Sequence, residues 1–292
     1  MEKIEISDNR SVGKNELPFI IAEIGNNHNG NLDLAKEMLK ICKKINVDAV
    51  KFQVKDIETA FSKELLDKPY TGPNSFGKTY REHKEALEFS KDELKVIYDY
   101  ARELGIICFA TPFDVKSVNI LEELDNPIYK ISSFHVTDLE LIESIAKTSK
   151  PIILSTGMSS IEEIDVAVKK IREFHDKLII LQCTSCYPTE DEDVNLRVIP
   201  TLEKRYECPI GFSSHERGVA ITSASVAIGA AIIERHFTLD RTMKGPDHAS
   251  SIEESGMELV VKRAKRLFTA LGSNEKKVLD SELDNRKKFR GY

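Results

Sequence analysis

PIGFSSHERGVAITSASVAIGAAIIERHF, residues 209–237, is the stretch from which the architecture can be read. Two apolar runs, Ile210-Gly211-Phe212 and Ala231-Ile232-Ile233, each lead to a histidine, His215 and His236. Between them residues 218–229 are small and rich in Ala and Ser, the composition of a tightly packed helix. Strand, helix and strand make a βαβ unit with one imidazole where each strand gives way to loop. Neutral imidazole ligates divalent metals. One histidine in an apolar setting is more simply a hydrogen-bonded core residue. Two at matching strand ends, with Asp247 and His248 just beyond, favour a metal pair.

Outward from this unit the same alternation repeats. Near-continuous apolar runs at 18–24, 47–54, 106–112, 127–132, 151–156 and 177–183 read as strands buried on both faces. Helical patterns at 32–45, 90–104, 115–124, 138–147, 160–174, 195–205 and 253–271 separate or follow them. Two of these open on capping boxes, Ser90 with Glu93 and Ser159 with Glu162. Eight strands alternating with helices predict an α/β fold, a (β/α)8 TIM barrel over residues 1–272. A hairpin over 1–16 caps it, and a charged tail, 273–292, follows. A doubly wound open sheet is the alternative. It would be expected to carry a glycine-rich nucleotide turn, and Gly25 to Gly30 lacks the GxGxxG spacing.

The chain has 292 residues, 41% hydrophobic and 31% charged, with a formal charge of −6. That charge, with no basic stripe carrying interleaved aromatics, argues against nucleic acid as a partner. No apolar run approaches the roughly 20 residues that span a bilayer. The polar start, MEKIEISDNRS, reads as neither a signal nor a transit peptide, so a cytoplasmic protein is expected. Five cysteines, an odd count in apolar segments, suit reduced thiols. Cys183-x-x-Cys186 could be a redox pair, but it ends a strand and runs into Tyr187-Pro188, whereas redox pairs open helices.

In a barrel the C-terminal strand ends carry the site. They offer Glu23, Lys51 with Gln53, Thr111, Lys130 with Ser132-Ser133, Ser155-Thr156, Thr184-Ser185, Ser213 with His215, and His236. Lysines among hydroxyls suit a small anion bearing phosphate and carboxylate. Each hydroxyl alone could equally cap the next helix. A lysine inside an apolar strand is costly to bury without an anionic partner, a ligand or a structural carboxylate. Residues 55–85, with DKPYTGPNSFGKTY, are long for a βα loop and read as a lid.

FIIAEIGNNHNG, VDAVKFQ, FATPFD, YKISS, PIILSTGM, QCTSCYP, GFSSH, ERHFTLDR and KGPDH, in this order, resemble the sialic acid synthase family over residues 17–272. The resemblance implies condensation of phosphoenolpyruvate with an N-acylated sugar aldehyde by a homodimer. It implies a divalent metal, usually Mn²⁺ with Mg²⁺ or Co²⁺ as substitutes, on His215 and His236. It assigns phosphoenolpyruvate to Lys51, Thr111, Lys130, Ser133, Ser155 and Ser213. It assigns the sugar or the reacting centre to Glu23, Gln53, Tyr187 and Asp247. Three departures touch the sugar side. The chain stops at Tyr292, about where the linker to the family's small C-terminal antifreeze-like domain would begin, so the expectation is that the protein either lacks that domain or receives it from a separate chain. Phe134-His135 replace Gly-Glu, and Ser185 replaces Asn. Other readings are the same chemistry on a 3-deoxy-octulosonate-type acceptor, a Schiff-base aldolase using Lys130, and a non-catalytic partner subunit.

Overall fold

Side chains alternate across a strand, so a strand buried on both faces must be apolar on both. In the computed structural model, which describes residues 3–7 and 9–292, eight such strands form one parallel sheet. They are β3 (Phe19–Gly25), β4 (Ala49–Val54), β5 (Ile107–Pro112), β6 (Tyr129–Ile131), β7 (Ile152–Ser155), β8 (Leu178–Cys183), β9 (Ile210–Ser214) and β10 (Ile232–His236). Their order is β5-β4-β3-β10-β9-β8-β7-β6, and β5 lies beside β6, so the sheet rolls into a nearly closed (β/α)8 barrel. The antiparallel pair β1 (Lys3–Ser7) and β2 (Arg10–Gly13) precedes it. Residues 1, 2 and 8 of the expected 1–16 cap lie outside the described residues.

The period of two sorts the strands into layers. Outward residues such as Ile20, Ala22 and Ile24 pack against the helices. Inward residues Phe19, Ile21, Ala49, Phe109, Ile128, Ile153, Ile179 and Ile232 form a second core, closed below by Ile4, Ile6 and Val12 of the hairpin. The hairpin therefore plugs the end of the barrel at which the strands begin. Two residues further along the inward rows the chemistry changes: Ile21 gives way to Glu23, Ala49 to Lys51, Phe109 to Thr111, Ile128 to Lys130, Ile153 to Ser155 and Ile232 to Glu234. An apolar floor thus carries a buried polar storey, every one of these six polar residues at most 6% exposed.

Several elements differ in detail from the sequence reading. The second capping box is Ser160 with Glu163, one residue later than Ser159 with Glu162. The helix starts at Ile161, and Ser159 instead donates to the Gly157 carbonyl. The helix expected from 195 begins at Val198, because Pro200 has no N–H and fits only a first turn. The small-residue helix between the histidines shortens to Ala220–Ser225 and continues as a 3-10 turn, Val226–Ile228. The charged tail is exposed but not featureless, ending in a helix, Leu283–Arg290.

The excursion after β4 is folded. It carries short helices Ile57–Ala60, Lys63–Leu66 and Tyr80–Glu85, with buried His83 stacked on Tyr70 at 4.5 Å between ring centres. No helix among the described residues is long and apolar enough to cross a membrane.

Candidate active site

The strand ends surround a cavity of about 500 Å³, lined by the thirteen residues given a substrate, metal or catalytic role but not by Thr156, Thr184 or His248. The thirteen are Glu23, Lys51, Gln53, Thr111, Lys130, Ser133, Ser155, Ser185, Tyr187, Ser213, His215, His236 and Asp247. Glu23 and Lys51 are register partners on β3 and β4, and their side chains pair at 2.7 Å with almost no exposure. Lys51 also donates to Thr111 Oγ1 at 2.8 Å. Lys130 donates to Ser155 Oγ at 2.5 Å, and Ser213 donates to Glu234 Oε1 at 3.2 Å. These hydroxyls bond inward, while the helices that follow β5 and β7 are capped by Asp114 and Ser160. The helix-capping alternative therefore fails for Thr111 and Ser155.

Two strand lysines in a dry barrel need counter-charge. Glu23 supplies it for Lys51, and Glu234, 3.8 Å from Lys130, supplies it for the other. Burial pulls Lys130 below the ordinary ammonium range, with Glu234 opposing. For Glu234 burial pushes the other way, but Lys130, Lys51 and His236 outweigh it and hold the carboxyl below its usual range. Glu234 was missed from the sequence. Its signal was there: two residues before His236 on one strand, it must share that side chain's face. Lys55, Phe61, Tyr80 and Lys84 also line the cavity. They come from the excursion, and no periodicity could have placed them.

The two imidazoles converge. His215 and His236 ring centres are 5.5 Å apart, and the Tyr187 ring covers His215 at 4.0 Å. Burial, then the neighbouring His236, pulls His215 down to about 3, which keeps it neutral and able to ligate. Its Nδ1 lies 3.1 Å from the Thr184 carbonyl, the contact that orients a metal-binding imidazole through its other nitrogen. His236 Nδ1 is buried without a partner. With metal–nitrogen bonds of about 2 Å, two rings at this spacing can share one ion. The described residues offer no cluster of three protein donors, so an ion here would keep several open positions. The residues present fit a divalent ion held by two imidazoles.

Cys183 and Cys186 are free, the first buried at the cavity floor and the second exposed. With one buried and the other exposed, they form no disulfide in this structure. Ser132 Oγ lies 2.8 Å from His135 Nδ1, and Phe134 and His135 border the cavity beside Ser133.

A (β/α)8 barrel whose strand-end cavity joins buried lysines and hydroxyls to two imidazoles has the build of an enzyme site. The NeuB family model matches residues 38–276, and the chain belongs to that family. It is a phosphoenolpyruvate-dependent sugar-acid synthase. The chain is 41% identical over 282 residues to human N-acetylneuraminate-9-phosphate synthase, covering 96% of this chain and 79% of that protein. It is 37% identical to N,N'-diacetyllegionaminic acid synthase of Legionella pneumophila, over 91% of this chain and 76% of that one. The N-acetylneuraminic acid synthetase of Leptospira borgpetersenii serovar Hardjo-bovis, solved with citrate, superposes with a TM-score of 0.86 at 34% identity. The match covers 100% of this chain and 98% of that one.

Proposed function

We propose that the cavity condenses phosphoenolpyruvate with an N-acylated aldose, N-acetylmannosamine or a related derivative, giving a 2-keto-3-deoxy nonulosonate and phosphate. The observation that carries this reading is the division of the cavity. Lys51 and Lys130 with Thr111, Ser155 and Ser213 form a cationic, hydrogen-bonding floor, and His215 and His236 lie beside it. Lys51, Thr111, Lys130, Ser133, Ser155 and Ser213 hold the phosphate and carboxylate of phosphoenolpyruvate. Glu23, Gln53, Ser185, Tyr187 and Asp247 face the acceptor.

His215 and His236 would hold a divalent ion, Mn²⁺ in our reading. Such an ion supplies Lewis acidity toward a carbonyl oxygen. In the carbon–carbon bond-forming step, C3 of phosphoenolpyruvate attacks the aldehyde carbon, the aldehyde oxygen takes up a proton to become a hydroxyl, and C2 becomes oxocarbenium-like. Water adds at C2, and a carboxylate, Glu23 or Asp247, takes its proton. The C2–O bond to phosphate then breaks, leaving the ketone. Lys51 and Lys130 offset the charge throughout, fixed in place before the reaction begins.

The test is phosphate release by the purified protein given phosphoenolpyruvate, Mn²⁺ and a panel of aldoses, with mass spectrometry of the product. With ¹⁸O in the bridging ester position, the label is expected in phosphate. Label retained in the sugar acid would overturn the cleavage scheme, and no release with any aldose would overturn the function.

A further inference from the structure

The ladder between β9 and β10 ends before it reaches either imidazole. Its register runs Ile233 to Phe212, Glu234 to Ser213 and Arg235 to Ser214, and goes no further. His215 lies one residue past the end of β9, and His236 is the last residue of β10. Backbone pairing of these two strands therefore does not set the distance between the rings.

A side-chain clamp spans the gap instead. Arg235 precedes His236 and, by the period of two, faces away from the cavity that His236 lines. Glu216 follows His215 directly. Arg235 donates through Nη1 to Glu216 Oε1 at 2.9 Å and to the Gly218 carbonyl at 3.0 Å. Through Nη2 it donates to the Glu216 backbone carbonyl at 2.7 Å. Thr222 closes the arrangement, its hydroxyl accepting from Arg235 Nη1 at 2.6 Å while its N–H donates to Glu216 Oε1 at 3.1 Å. The neighbour of one imidazole thus grips the backbone beside the other. Arg235 is 2% exposed and Glu216 is 1% exposed.

A buried ion pair adds little net stability over apolar side chains of the same volume, so stability alone gives poor reason for this one. What it fixes is geometry. A lysine could not replace the arginine, because only a planar fork reaches a carboxylate and two carbonyl oxygens at once. We infer that Arg235 and Glu216 are positioning residues for the imidazole pair: their clamp sets the 5.5 Å between the His215 and His236 ring centres, and so the bite offered to a divalent ion. This rests on the metal reading of the two histidines. The Thr184 carbonyl orients the His215 ring, and the clamp holds the backbone that carries it. With metal–nitrogen bonds of about 2 Å, a shift of the 215–218 turn by a fraction of that length spoils the bite.

The same kind of clamp at the other end of the barrel supplies a control. Arg10 donates to Asp48 Oδ1 and to the Leu17 and Pro18 carbonyls, each at 2.8 Å, where β3 and β4 begin and far from the imidazoles. The experiment titrates the parent, Arg235→Lys, Glu216→Gln and Arg10→Lys with Mn²⁺ under electron paramagnetic resonance. Urea unfolding and phosphoenolpyruvate binding to the metal-free chain are measured beside it. Arg235→Lys and Glu216→Gln are each expected to weaken Mn²⁺ by about tenfold or more, as partners behind metal ligands do, with phosphoenolpyruvate affinity unchanged. Arg10→Lys is expected to lose stability and keep the parent's Mn²⁺ affinity. Glu216→Gln, the closer match in shape, decides the matter if Arg235→Lys does not fold. The proposal is overturned if the folded variants bind Mn²⁺ as the parent does. It is equally overturned if phosphoenolpyruvate affinity falls in step, or if Arg10→Lys weakens Mn²⁺ as much. A parent that binds no Mn²⁺ overturns the metal reading itself, a different result from variants that match a binding parent.

Discussion

Lys130 on β6 and Glu234 on β10 stand four strands apart, on opposite walls of the barrel, yet their side chains meet to 3.8 Å over its floor. Each is nearly inaccessible to solvent. A buried pair of this kind contributes little net stability, but removing one partner leaves a bare charge in a dry site. Lys130→Met is therefore expected to cost about 3–5 kcal/mol in urea unfolding. Adding Glu234→Gln should recover most of that loss and none of the phosphate release. Full stability in the single variant would show that water reaches Glu234.

The imidazole pair makes a prediction that does not depend on turnover. Titration of the purified chain with Mn²⁺, followed by electron paramagnetic resonance, should show one tight ion per chain. His215→Ala or His236→Ala should each weaken it by about 100-fold or more, since one of only two protein donors is gone. Unchanged Mn²⁺ affinity in both variants would remove the metal from the account.

Gly157 lies against two cavity hydroxyls. A Cβ there would come within 2.8 Å of Ser133 Oγ and closer still to Ser185 Oγ, while the Gly157 N–H donates to that same Ser133 hydroxyl at 2.9 Å. Gly157→Ala should fold at a cost of about 1–3 kcal/mol, the usual price of overpacking. It should raise the KM for phosphoenolpyruvate about tenfold by turning Ser133 away. A KM equal to the parent's would take Ser133 out of the berth.

Acid should loosen the attachment of the lid. His83 is held at about 4 and His28 at about 3, in both cases mainly by burial, so both are neutral in the folded chain at pH 7. His83 stacks on Tyr70, and His28 stacks on Phe89 at 4.0 Å, beyond the lid. The unfolded chain binds these protons below about 6.5 and the folded chain does not. The stabilisation is thus complete above about 6.5 and is lost as pH falls toward the folded values, at about 1.4 kcal/mol per pH unit for each histidine. His83→Phe should lower the slope of unfolding free energy between pH 4.5 and 6 by nearly one proton. An unaltered slope would mean that His83 is already protonated in the fold.

Much of the cavity lining could be read before any coordinates. Lys51, Thr111, Lys130, Ser155, Ser213, His215 and His236 all sit near the ends of apolar runs, and a run's end in a barrel faces one mouth. Glu234 escaped notice because it lies inside its run, although the period of two places it on the His236 face. Lys84, Tyr80 and Phe61 were beyond reach. They belong to an irregular excursion with no period to project, and they reach the cavity through the folding of residues 55–89 around His83.

Residue types and their spacing therefore settled the barrel and the mouth at which its strands end, because both rest on local periodicity repeated eight times, while the family came from the resemblance of motifs such as GFSSH and KGPDH. Which charges cancel and which stay free came only from the folded chain. Lys51 is neutralised across one seam of the sheet, Lys130 from the opposite wall, and Lys84 not at all among the described residues. Ion pairing depends on distances between residues far apart in the chain, and these exist only once the sheet has closed.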